Sequence, residues 1–155
     1  MQALEMRKHL LGEQHPDVAR NLNDLALLYW FERNYSKAEP LYRQALEMRK
    51  SLLGEQHPDV ASSLNNLALL YSSQGLDAKA QKLYQEAIAI TTRSLGDNHP
   101  DVGRSLDNLG MLYAKQGRSE EAKSLHQKAL EIFEEKLGSN HPWTIRAREN
   151  LEALA

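Results

Sequence analysis

Four histidines stand before prolines at matching places, in "GEQHPDV" from Gly12 and again from Gly54, in "GDNHPDV" from Gly96 and in "GSNHPWT" from Gly138. An imidazole two residues from a carboxylate, as in His15 and Asp17, His57 and Asp59, and His99 and Asp101, is raw material for a general base or a zinc site. Zinc draws its ligands to within about 2.0–2.2 Å. Equivalent loops in stacked helical layers lie on the order of 8–10 Å apart, so His15, His57, His99 and His141 cannot share one ion. His126 falls where Tyr42 and Tyr84 stand and reads as a packing residue, and His9 brings no motif with it. With no cysteine, no phosphate-cradling glycine loop and no nucleophile elbow, the sequence points to no enzyme, no metal and no cofactor.

The elements around these histidines explain their spacing. The His-Pro pairs recur every 42 residues without drift, and residues 3–44 match residues 45–86 at 27 of 42 positions. After each proline an apolar stripe at i, i+3, i+4, i+7 marks a helix A: Leu22, Leu25, Ala26 and Tyr29, then Leu64, Leu67, Ala68 and Tyr71, then Leu106, Leu109, Gly110 and Tyr113. A second stripe, Ala38, Leu41, Tyr42, Ala45, Met48 and Leu52 in the first unit, marks a helix B. Eight helices are expected, near 2–11, 17–32, 36–52, 59–74, 78–94, 101–116, 120–136 and 143–154. The expected organisation is one solenoid over 1–155: the second half of a helix B in 1–12, repeats over 13–54, 55–96 and 97–138, and a terminal helix A in 139–155.

The punctuation agrees with this reading. The glycine of each His-Pro loop is expected to end helix B in a left-handed conformation. The proline suits the first helical position, its histidine the N-cap region, and the aspartate the positive end of the helix dipole. Gly75 and Gly117 are expected to end helix A, with Asn34 as their substitute in the first unit, and Asp77 and Ser119 to cap helix B.

Bulk composition narrows the function classes. Of 155 residues, 19 are basic and 21 acidic, a net charge of −2 spread along the chain, which offers no field for a nucleic-acid backbone. No run of about 18 apolar residues is present to span a bilayer, and "MQALEMRKHL" lacks a signal-peptide core. The expectation is a cytoplasmic chain with neither nucleic acid nor membrane as partner.

The pattern Leu64-x-x-Leu67-Ala68-x-x-Tyr71 followed by Ala80-x-x-x-Tyr84-x-x-Ala87 resembles the tetratricopeptide repeat (TPR). Ordinary repeats of that family have about 34 residues; the longer unit "ALEMRKSLLGEQHPDVASSLNNLALLY" is similar to the repeats of kinesin light chains and related scaffolds. The resemblance implies an all-α, right-handed superhelical solenoid of antiparallel helix pairs, with A helices lining a concave groove for a partner peptide. In kinesin light chains such peptides combine an aromatic residue with acidic ones.

Under that geometry the groove face carries Arg20, Asn23, Leu27 and Trp30 on the first helix A. It carries Asn65, Asn66 and Leu69 on the second, Arg104, Asn108, Met111 and Lys115 on the third, and Arg146 on the last. Amides can bond a ligand backbone, leucines and methionine give apolar contact, and arginines grip carboxylates. Counting Arg20, Arg104, Lys115 and Arg146 against Asp24, Asp107 and Glu149 leaves this face with a charge of +1. Trp30 and Phe31, in place of Ser72 and Ser73, read either as ligand anchors or as packing against a preceding repeat or around Tyr35. Trp143 is expected to cover the end of the stack. The competing reading of the whole chain is a structural spacer or a segment that associates end to end through open repeat faces.

Overall fold

The computed structural model describes residues 2–12 and 14–155, and among these it is all helix and turn, with no strand. The helices are α1 (Gln2–Leu11), α2 (Pro16–Phe31), α3 (Tyr35–Leu53), α4 (Pro58–Ser73), α5 (Asp77–Leu95), α6 (Pro100–Lys115), α7 (Ser119–Leu137) and α8 (Pro142–Glu152). They gather into two compact units, Met1–Leu83 and Tyr84–Ala155, whose boundary falls inside α5.

Each A helix starts one residue before its expected range because the proline is itself the first helical residue. Its missing N–H is one that no carbonyl of the helix would have served. The histidine before it is the N-cap, held in extended backbone such as φ −78°, ψ 141° at His57, where a following proline steers it. Its ring does the capping. Nδ1 of His15, His57, His99 and His141 accepts the backbone N–H two residues on, at 3.1, 3.0, 3.1 and 3.1 Å. The His-Asp pairs are therefore helix starts, with Asp17, Asp59 and Asp101 in the first turn.

Three turn assignments differ from expectation. Gly54 ends α3 with φ 91° and ψ 153°; the positive φ comes with an extended ψ, a region essentially reserved for glycine, rather than with left-handed helical values. At the A-to-B turn of the first unit the positive φ belongs to Arg33, at 59°, while Asn34 has φ −89° and makes no side-chain cap bond. Turn geometry follows position in the repeat, and Arg33 is the residue equivalent to Gly75, whose φ is 75°. Asp77 and Ser119 are the first helical residues of α5 and α7 rather than caps, and the N-cap of α7 is Arg118.

In the first unit Val18, Ala19 and Leu22 of α2 close on Ala45 and Met48 of α3, with Leu4 of α1. In the second, Val102 and Leu106 of α6 meet Ala129, Leu130, Ile132 and Phe133 of α7, joined by Ala147 of α8. Two bulky residues of α7 are accommodated by glycines on α6. A Cβ on residue 103 would lie 2.6 Å from Phe133 Cε1, and one on residue 110 would lie 2.7 Å from His126 Cε1. The equivalent positions of α2 and α4 are alanines, Ala19 and Ala61, and Ala26 and Ala68.

Candidate functional site

The proposed binding side chains lie on α2 and α4 of the first unit and on α6 and α8 of the second. On α2, Arg20 is exposed and pairs with Asp17 one turn back at 3.0 Å. Leu27 is 40% exposed. Trp30 is half-buried and its Nε1 donates to Ser73 Oγ of α4 at 2.9 Å, with the Phe31 ring edge-on at 5.0 Å. Trp30 thus reaches the following repeat. On α4, Asn66 and Leu69 are half-buried.

Asn23 and Asn65 are only 7% and 4% exposed, so their amides sit in the helix contacts rather than on an open face. The burial follows from position, since the neighbouring helices close over that side of the A stripe. On α6, Asn108 and Met111 are half-buried and Lys115 is exposed in the last turn. Arg104 is half-buried with its guanidinium 5.7 Å from the centre of the Trp143 ring. Burial lowers its pKa first, Asp101 works in the opposite direction, and the charge of Arg146 lowers it further. Trp143 packs against Phe133 as well, at 5.8 Å, so it belongs to the core of its unit.

Arg146, its side chain 40% exposed, is held by partners on α6. Its Nε donates to Asp107 Oδ2 at 2.8 Å, and its Nη2 reaches Asn108 Oδ1 at 3.4 Å. Asp107, counted on the groove face by its helical position, is fully buried. His126 Nδ1 lies 2.7 Å from Asp107 Oδ1, and Asn150 Nδ2 donates to the same carboxylate at 3.2 Å. Burial pushes the Asp107 carboxyl up. The His126 hydrogen bond, the Arg146 charge, the Asn150 hydrogen bond and the His126 charge together outweigh it, and hold the group below the usual carboxylate range. An ionised carboxylate only accepts, so the proton between them sits on His126 Nδ1.

This buried His-Asp pair ties α6, α7 and α8 together. His126 is 1% exposed, which leaves no route for a substrate. Among the described residues no group of three or more histidines and carboxylates is placed to hold a metal, and no helix is long and apolar enough to cross a membrane. Sequence reasoning saw His126 as packing and missed its hydrogen bond. The available signal was that Tyr to His at 126, Ala to Gly at 110 and Asn to Asp at 107 all change within one repeat.

The tetratricopeptide repeat profile matches residues 1–51, 34–93, 59–135 and 107–155. The chain belongs to the tetratricopeptide repeat family. Among solved structures, BtubC (BKLC) from P. vanneervenii superposes with a TM-score of 0.83 at 29% identity, over 99% of this chain and 61% of that one. The chain thus spans less than two thirds of that relative's length. Kinesin light chain repeats from Podosopora anserina, described as nearly identical and TPR-like, give 0.73 at 25% identity over 99% of this chain and 72% of that one. The first TPR of Spaghetti (RPAP3), bound to the HSP90 peptide SRMEEVD, gives 0.64 at 17% identity over 90% and 92%, a likeness of fold. No curated protein matches the sequence.

Proposed function

We propose that the chain is a non-catalytic protein–protein interaction module of the cytoplasm that holds a partner peptide along its A helices. The observation that carries this reading is on α2, where Leu27 and Phe31 remain 40% and 68% exposed beside Trp30. The same positions of α4 hold Leu69, Ser73 and Ser72. An exposed aromatic next to a rigidly held tryptophan is a ready anchor for an apolar ligand side chain. Arg20, exposed on the same helix, adds positive charge for acidic neighbours on such a peptide. The same fold carries the acidic peptide SRMEEVD in Spaghetti (RPAP3).

The test is fluorescence anisotropy with a labelled peptide that sets one aromatic residue between acidic ones. Phe31→Asp is expected to weaken binding about tenfold or more, in the range of a lost interface anchor. Arg20→Glu is expected to have a smaller effect that added salt removes. Unchanged affinity in Phe31→Asp, with helix content intact by circular dichroism, refutes the assignment.

A further inference from the structure

The last turns of α2 and α4 are joined by a side-chain bond. Trp30 Nε1 donates to Ser73 Oγ at 2.9 Å, and the Ser73 hydroxyl in turn donates to the Leu69 carbonyl of its own helix, also at 2.9 Å. A hydroxyl has one proton and two lone pairs. With the proton aimed back along α4, a lone pair is left for the indole, and neither side chain can turn without breaking the bond.

One repeat on, the matching residues are Ser72 and Lys115, a pair with no indole to hold and an ammonium that accepts no hydrogen bond. The lock therefore belongs to the place where the rings stand. Leu27, Trp30 and Phe31 share one face of α2 at i, i+3 and i+4. The Phe31 ring meets the held indole at 5.0 Å and 70°. Ser73 is itself exposed, so its bond does not serve the buried core.

We propose that Ser73 is the positioning and specificity-determining residue of the α2 anchor, an inference that rests on the peptide-binding reading above. It holds Trp30 in one rotamer before a ligand arrives, which spares the ordering of a large side chain on binding. It also takes up the one hydrogen-bond donor of the indole. The two rings then present only π-faces and edges, a surface that takes an aromatic or aliphatic side chain and offers no ring donor to an amide or a carboxylate.

The test compares Ser73→Ala with Ser73→Thr, whose hydroxyl can make the same bond to the carbonyl four residues back. The labelled probes are the acidic peptide with its aromatic residue and the same peptide with glutamine in that place. Ser73→Ala is expected to weaken binding of the aromatic peptide about two- to tenfold, the range for ordering one side chain. Its preference for the aromatic peptide over the glutamine one is expected to narrow, because the indole N–H is released. Ser73→Thr is expected to match the parent in both. In the protein without peptide, exchange of the Trp30 indole proton with water, followed by NMR, should be faster in Ser73→Ala than in the parent or Ser73→Thr. Ser73→Ala at parent affinity and preference, with Phe31→Asp impaired, overturns the proposal and leaves the peptide site standing. So does Ser73→Thr as weak as Ser73→Ala. A Phe31→Asp without effect overturns the peptide site itself, and the role of Ser73 with it.

Discussion

Asn23 and Asp107 occupy the same place in the repeat, two periods apart, and both are buried, at 7% and 0% exposure. Asp107 is saturated by His126, Arg146 and Asn150. Asn23 has no hydrogen-bond partner for either its Nδ2 or its Oδ1. The difference lies in the neighbours' sequence. The next A helix offers Ser62 and Asn66 to the first unit, where α8 offers Arg146 and Asn150 to the second, and α3 brings Tyr42 where α7 brings His126. A buried polar position in a repeat is thus satisfied only when several positions change together. The second unit has made that change and the first has not.

The largest break in the comparison comes from removing the hub. Asp107→Leu leaves the buried His126 and the Arg146 guanidinium without their acceptor, and should cost about 3–5 kcal/mol in thermal or urea unfolding. Because the folded pKa of Asp107 lies below its unfolded value, its contribution is present above the ordinary carboxylate range and is lost as pH falls through the folded value. A urea series toward acid should show that loss in the parent chain and a flatter acid limb in Asp107→Asn.

Converting the first unit toward the second sharpens the contrast. Asn23→Asp buries a carboxylate without a cation and should destabilise. Adding Ser62→Arg should recover part of the loss, with a coupling of about 0.5–3 kcal/mol in a double-mutant cycle. Strict additivity would mean that the two units do not share this geometry. Gly110→Ala, which drives a methyl into His126, should cost about 1–3 kcal/mol. The smallest effect is expected from Asn23→Leu, which removes two unmet polar groups from the core and should shift stability by no more than about 1 kcal/mol. A large loss there would show that the amide is satisfied after all.

The helices and their starts were legible because periodicity and His-Pro spacing are local signals, and the N-caps followed from them. Asn23, Asn65 and Asp107 were placed on the groove because helical phase fixes a direction but not what the next helix covers. The partner of Arg146 was not legible for a related reason: its carboxylate sits on the preceding A helix. The positive φ of Arg33 was hidden by habit of composition, since asparagine is the commoner residue in that backbone region, yet register with Gly75 pointed one residue earlier.

The four capping imidazoles have a spectroscopic consequence. Each uses Nδ1 as an acceptor from a main-chain N–H, which pins the neutral ring as the Nε2–H tautomer. His15, His57, His99 and His141 are therefore built-in nitrogen-15 reporters, one at the start of each A helix. As denaturant rises, the order in which their Nδ1 signals drift toward free imidazole would read out the sequence in which the repeats let go.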